Sequence, residues 1–245
     1  MHTIFETSDI WGGLIAKLSG PTVLVSSRRD MGILRSTKHR IAYRLMGQLF
    51  DQVQAVSDEV RDYCIRADGL NPQRLVTLYN GIDVPNVMLD NSTRNPPMGL
   101  DLGGASHRIV TVGNIRRIKG IDVTVRTAAK VCRRYPRAVF LIVGALVEPQ
   151  YYEEVKGLAR TLNVAENVRF LGSSNDVFSL LKLCDIFCLL SRNEGFSNAV
   201  LEAMGCGLPC VVTEVGGNRE AISEGRSGFS CQVRMCTPLP TESSR

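Results

Sequence analysis

Arg108-Ile109-Val110-Thr111-Val112-Gly113-Asn114-Ile115-Arg116-Arg117-Ile118-Lys119-Gly120 leads directly into Ile121–Arg134 and then into Val139–Val143 with Gly144 behind it. Ile109–Val112 is an apolar run of strand length that stops at a glycine. From Ile121 the period becomes that of an amphipathic helix, which ends near Pro136. Val139–Val143 is a second strand, again closed by glycine. A strand, a helix and a strand in this order predict a parallel sheet with helices on its faces.

The same alternation continues downstream. The pattern predicts a helix over 151–162, a short strand at Val168–Leu171, a helix over 177–183 and a strand at Ile186–Leu190. A helix over 198–204, a strand at Cys210–Val212 and a short helix near 219–223 complete the series. Upstream, strands are expected at 23–26, 53–56 and 75–78, with a basic amphipathic helix over 37–50. A further helix over 58–67 has Ser57 as its cap. Thr3-Ile4-Phe5-Glu6 reads as a strand already inside a sheet, which leaves about three strands for the first domain. Trp11-Gly12-Gly13 reads as a turn that needs glycine, and His2 as a structural residue.

Pro85 to His107 is rich in Asn, Pro, Gly and Ser and has no periodicity. The boundaries expected are therefore an incomplete first domain over 1–84, a linker over 85–107, a second domain over 108–233 and an irregular tail over 234–245. The alternation stops after Phe229. Both domains are read as Rossmann-like α/β units.

Composition narrows the function classes. The 245 residues are 44% hydrophobic and 22% charged, which is globular and argues against disorder or a coiled coil. No apolar run approaches the roughly 20 residues that cross a bilayer. A net charge of +5, from 29 basic and 24 acidic residues, suits an anionic ligand or a membrane surface and does not require nucleic acid. Part of the excess is local: Arg28, Arg29, Arg35, Lys38, His39, Arg40 and Arg44 stand against the single acid Asp30. That stretch is either a solvated face or a site for phosphate or anionic lipid. Eight cysteines without an apolar leader point to a reducing compartment. Cys184-x3-Cys188 and Cys206-x3-Cys210 have a zinc-like look, but Cys188 and Cys210 fall in apolar strands where a thiol acts as a small hydrophobe.

Two stretches carry chemistry. Glu194-Gly195-Phe196-Ser197-Asn198-Ala199-Val200-Leu201-Glu202 places two carboxylates across a strand-to-helix turn, at the sheet edge where open α/β sheets bind ligands. Ser197 is positioned to cap the helix, and the amides of its first turn offer a phosphate site. Carboxylates so placed suit a nucleotide sugar, one accepting from ribose hydroxyls and one from sugar hydroxyls. The second stretch is the Gly113 turn, with Arg116, Arg117 and Lys119 set to neutralise a leaving diphosphate. Which arginine points inward stays open. The G-x-G-x-x-G spacing of a dinucleotide fingerprint is absent.

With these motifs in order, the sequence resembles the retaining glycosyltransferases of family four, which have the GT-B fold. Four stretches over residues 2 to 233 carry the resemblance: Asn80-Gly81-Ile82-Asp83; Val112 to Gly120; Asp185 through Ser191 to the Glu-x7-Glu pair; and Glu202 to Pro209 with Val215-Gly216-Gly217 and Glu220. The resemblance implies a nucleoside diphosphate sugar as donor, bound without cofactor or metal, and a sugar or lipid-linked acceptor. Lys119 and Arg116 would contact the diphosphate beside Gly113. Glu194, the expected catalytic residue, would meet the transferred sugar and Glu202 the ribose, with Gly195, Phe196, Ser197 and Asn198 completing the donor site. Arg28, Arg29 and Asp30 stand where many members carry a His-Asp pair facing the acceptor, and here the His is missing. Against the family pattern the opening strands of the first domain and the return helices are missing, so the chain reads as truncated at both ends. The expected setting is polysaccharide or glycolipid synthesis in the cytoplasm, with peripheral contact at the inner membrane face. Two other functions fit the same residues: a sugar-nucleotide epimerase on this fold, and a non-catalytic nucleotide-binding or membrane-associated fragment.

Overall fold

The computed structural model describes residues 1–4, 6–20, 23–32, 37–83, 100, 102 and 104–232, with the side chains of residues 6, 37–40 and 42 left aside. Most of the expected linker and the tail lie outside the described residues, as do Arg35 and the side chains of Lys38, His39 and Arg40. The chain divides into two compact units. The first contains Met1–Pro85, Asn193–Glu202 and Val215–Ala221; the second contains Asn86–Arg192, Ala203–Glu214 and Ile222–Arg245.

The first unit is built on a four-stranded parallel sheet in the order β1 (His2–Ile4), β2 (Val25–Arg28), β3 (Gln52–Ala55) and β4 (Leu75–Thr77). Helices α1 (Glu6–Leu18), α2 (Thr37–Gly47) and α3 (Asp58–Arg66) connect successive strands. Leu24, Phe50, Val53, Ala55, Val60 and Cys64 form its core. Helix α3 starts where the sequence places it, because the Ser57 side chain accepts from the Val60 N–H and satisfies one of the free amides of the first turn.

One expectation fails here. Trp11-Gly12-Gly13 is not a turn but lies inside α1. A Cβ at Gly13 would sit 3.1 Å from Cζ of the buried Phe50, and one at Gly12 would sit 3.3 Å from Cγ2 of Thr3. These glycines let the helix approach the sheet closely; they do not reverse the chain. Strand β1 stands where the sequence expects a strand at the chain start, but it ends at Ile4, and α1 has begun by Glu6.

The second unit holds a six-stranded parallel sheet. Its strands are β5 (His107–Val112), β6 (Ala138–Val143), β7 (Val168–Gly172), β8 (Ile186–Leu189), β9 (Cys210–Thr213) and β10 (Gly228–Cys231), in the order β10-β9-β8-β5-β6-β7. Its helices are α4 (Ile121–Arg134), α5 (Pro149–Thr161) and α6 (Val177–Lys182); of the later helices, α7 (Asn198–Gly205) begins in the first unit and α8 (Asn218–Ala221) belongs to it. Every residue of β6 is buried, as a strand covered on both faces requires. Ile121, Val125, Ala128 and Cys132 turn one face of α4 onto this sheet. Strand β10 extends the sheet beyond the expected end of the alternation. As a short edge strand it exposes Phe229, which breaks the buried pattern of the inner strands.

The strand order runs outward from β5 through β6 and β7, then returns to β8 on the other side of β5. That reversal is the switch point at which open α/β sheets bind ligands beyond the carboxyl ends of their strands. Asp185 and Arg108 exchange two bonds of 2.8 Å at the opposite end, aligning β8 with β5.

Candidate functional site

The loop leaving β5 at the switch point carries Gly113, Arg116 and Lys119. It is pinned along the exit of β6 by Gly113 N–H to the Val143 carbonyl and Ile115 N–H to the Ala145 carbonyl, both 2.8 Å. A single 3-10 turn over Arg117–Lys119 follows, and Gly120 closes it in the left-handed region at φ +62°. A Cβ on Gly120 would lie 2.0 Å from the Leu190 carbonyl oxygen, so this position accepts glycine alone. Gly113 is less tightly enclosed, with the Lys119 stem running beside it and Cδ 3.4 Å from where a Cβ would stand.

The geometry separates the two arginines. Arg117 turns back to the helix side: its guanidinium pairs with the Glu154 carboxylate and lies 4.8 Å from the centre of the Tyr151 ring, and its N–H donates to Glu148 at 2.9 Å. Arg116, in extended backbone at φ −139°, is exposed. Sequence spacing could not decide this, because Glu154 and Tyr151 lie a helix away in α5.

Within the first unit, residues 193–202 lie against the loops that leave β2, β3 and β4. Glu194 and Ser197 are buried. The Gly195 carbonyl accepts from the Ser57 hydroxyl and the Gly217 N–H, both at 2.9 Å. A Cβ on Gly195 would fall 1.9 Å from the Arg29 carbonyl oxygen. Phe196 packs on the first core, and its ring stands 5.1 Å from that of Tyr79. The Asn80 amide donates to the Phe196 carbonyl at 3.2 Å and to Oδ1 of Asn198 at 2.8 Å. Helix α7 starts at Asn198, and the Ser197 carbonyl accepts from Leu201 at 3.4 Å. Glu202 is half-buried on this helix, and burial raises its pKa above the usual carboxylate value.

Glu220 meets the start of α3. Its two carboxylate oxygens accept from the Asp58 and Glu59 N–H groups at 2.8 and 2.9 Å, at the positive end of α3. Asp58 in turn accepts from Thr77 at 2.5 Å and from Tyr79 at 3.1 Å. Partial desolvation of the Tyr79 hydroxyl and its hydrogen bonds to Asp58 and Glu220 push its pKa up to about 12. Sequence pattern gives Ser57 no role beyond capping, and none to Asn80 or Glu220 individually. Asn80 and Glu220 are visible as motif letters; their partners are not.

The three acceptor-side candidates part company. Arg28 is 2% exposed, pairs with buried Asp9 at 3.1 Å and stacks 3.8 Å over the Tyr43 ring. Asp9 also accepts from Tyr43 at 2.6 Å, from Ser26 at 2.9 Å and from Thr3, a polar knot within the first unit. Arg29 is exposed and donates to Oδ1 of Asn80 at 3.3 Å, and Asp30 accepts from the Gly32 N–H at 2.7 Å. His2 meets the Ser27 hydroxyl at 2.8 Å. Cys188 and Cys210 lie buried in β8 and β9, and burial pushes both thiols up to about 12.

N-acetyl-alpha-D-glucosaminyl L-malate synthase of Bacillus anthracis is 32% identical over 157 residues, which is 64% of this chain and 40% of that protein. The UDP-Gal:alpha-D-GlcNAc-diphosphoundecaprenol alpha-1,3-galactosyltransferase of Escherichia coli is 25% identical over 246 residues, 95% of this chain and 62% of its own. Anabaena HepE, solved in complex with UDP-glucose, superposes with a TM-score of 0.78 at 23% identity, covering 94% of this chain and 64% of that one. The chain thus spans about two fifths of the length of the first of these relatives. The solved neighbours share its paired parallel sheets, the GT-B fold. Residues 101–235, more than half of the chain, match the family described as glycosyl transferases group 1, and the protein belongs to that family.

Proposed function

We propose that the protein moves a hexosyl group from a nucleoside diphosphate sugar to a sugar or lipid-linked acceptor with retention of configuration, in polysaccharide or glycolipid synthesis. The observation that carries this reading is the division of labour on the switch-point loop. Arg117 pairs with Glu154 and lies over Tyr151, Arg116 is exposed, and the Lys119 stem runs beside Gly113, all on a loop with glycine at both ends. In this reading Arg116 and Lys119 bind the donor diphosphate and neutralise the charge that develops as it leaves, with no bound cofactor. Glu202 accepts from the ribose hydroxyls, and Glu194 meets the transferred sugar. Gly195 to Asn198 bring the start of α7 to the donor, and Arg29 and Asp30 face the acceptor.

An acceptor carried by lipid is favoured by one further observation. Trp11, Ile15 and Leu18 on α1 and Ile41 and Leu45 on α2 are exposed, with Lys17 and Arg44 on the same two helices. We place this face against an anionic membrane surface. Among the described residues no helix is long and apolar enough to cross a membrane.

Calorimetric titration of UDP, GDP and ADP, each beside its nucleoside, tests the donor site. Charge-assisted hydrogen bonds are worth about 1.5–3 kcal/mol, so Lys119→Ala and Arg116→Ala should each weaken the diphosphate roughly tenfold or more and spare the nucleoside. Arg117→Ala should leave both affinities near wild type. Loss of nucleoside binding in step with the diphosphate would refute the assignment.

A further inference from the structure

One side chain at the switch point of the second sheet ties separate parts of the chain together. Arg192 follows β8, and its guanidinium donates to the two carboxylate oxygens of Asp122 at 2.8 and 2.6 Å. The same Nη1 donates to the Arg117 carbonyl at 2.8 Å, and the Arg192 N–H donates to the Ile118 carbonyl at 2.8 Å. Two consecutive carbonyls of the cation-bearing loop are therefore held by one residue. Asp122, in the first turn of α4, is braced from behind: the Tyr151 hydroxyl donates to it at 2.6 Å and accepts from its N–H at 3.0 Å. The Tyr151 ring is rooted in the core of the second unit. Burial pushes the Asp122 carboxyl up, but the bonds from Arg192 and Tyr151 outweigh it and hold the group below its usual range.

We infer that Arg192 is a positioning residue for the donor diphosphate: braced by Asp122 and Tyr151, it fixes the backbone at Arg117 and Ile118 and so sets where Lys119 presents its ammonium. This rests on the reading of Lys119 as a phosphate ligand. The geometry explains why arginine is needed. A planar fork engages both oxygens of Asp122 and still offers an N–H to a carbonyl, whereas the lysine ammonium is a single point of contact.

The test is a double-mutant cycle in the 245-residue chain, titrated with UDP, GDP, ADP and their nucleosides. Arg192→Ala should lower diphosphate affinity roughly tenfold without changing nucleoside affinity, and should add less than about twofold once Lys119→Ala is present, because residues acting through one group are not additive. Arg192→Lys should fall between wild type and Arg192→Ala. Tyr151→Phe, which removes only the hydroxyl on Asp122, should give a smaller loss of the same kind. Equal costs of Arg192→Ala in both backgrounds, or a parallel fall in nucleoside affinity, would overturn the inference. Amide exchange across residues 115–120 without ligand separates it from the reading beneath it. If Lys119→Ala leaves diphosphate binding intact, the ligand role of Lys119 fails and the positioning role fails with it. Faster exchange in Arg192→Ala and Tyr151→Phe would then still show the brace itself, and unchanged exchange would remove that as well.

Discussion

At the scale of single residues, the two carboxylates of the Glu-x7-Glu pair are predicted to differ in what they bind. Glu202→Ala should weaken a nucleoside diphosphate roughly tenfold, while Glu194→Ala should weaken only the added contribution of the sugar, since each loses hydrogen bonds to a different part of the donor. Titration with the diphosphate and with the whole donor checks this; equal diphosphate affinities in wild type and Glu202→Ala would remove the ribose assignment. Glu202 also carries a pH signature. Its folded pKa is raised by burial, so folding favours its neutral form: stability is fully present below the unfolded pKa and is lost as pH rises through the folded one. Glu202→Gln should therefore raise the melting temperature at pH 7, and its advantage over wild type should shrink towards pH 4. Removing the buried charge partner Asp9 is predicted to act oppositely. Asp9→Asn leaves the Arg28 guanidinium buried without its counter-charge, at a cost of about 3–5 kcal/mol in chemical denaturation. Spacing puts both glutamates of the pair across a strand-to-helix turn, and the structure has Glu194 buried before α7 and Glu202 half-buried on it. The place of Arg28 is not legible in the sequence, because a cation in a basic stretch looks solvated, and only α1 and α2 supply the Asp9 and Tyr43 that take it inside.

Elements show the same contrast between local and distant determinants. Helix α4 is observed over the residues expected, Ile121–Arg134, since a glycine precedes it, its apolar face has a regular period and Pro136 follows. Helix α1 escapes a reading of local sequence because Gly12 and Gly13 serve packing against Thr3 and Phe50, contacts made only in the folded chain. Glycines in helices therefore divide into two kinds, and substitution should tell them apart. Gly157 in α5 has nothing within 4 Å of its would-be Cβ, so Gly157→Ala should stabilise by about 0.5–1 kcal/mol through helix propensity. Gly13→Leu should destabilise by about 1–3 kcal/mol, because fully buried Phe50 has no room to yield. Thermal and urea unfolding of both variants decides the matter, and a stabilised Gly13→Leu would contradict the packing account. The switch point needs the strand order, which local sequence does not contain. Its loop geometry is not local either, because Arg192 and Asp122 are far apart in sequence and meet only once β8 lies beside β5.

For the whole molecule, the expected two-part α/β organisation is reflected in two parallel sheets, of four and six strands among the described residues. The exposed apolar residues of α1 and α2, in a chain of net charge +5, should bring it to vesicles containing anionic lipid and not to purely zwitterionic ones. Sedimentation with vesicles should show binding that weakens as salt rises, and Ile15→Ser with Leu18→Ser should reduce it severalfold. Indifference to lipid charge would exclude the proposed surface. Trp11 is the single tryptophan of the chain and is 62% exposed on α1. Its indole already resembles an unfolded one in its contact with water, so unfolding should move its emission little. Insertion among acyl chains should shift the emission to shorter wavelength, giving the protein a built-in fluorophore that distinguishes docking from denaturation.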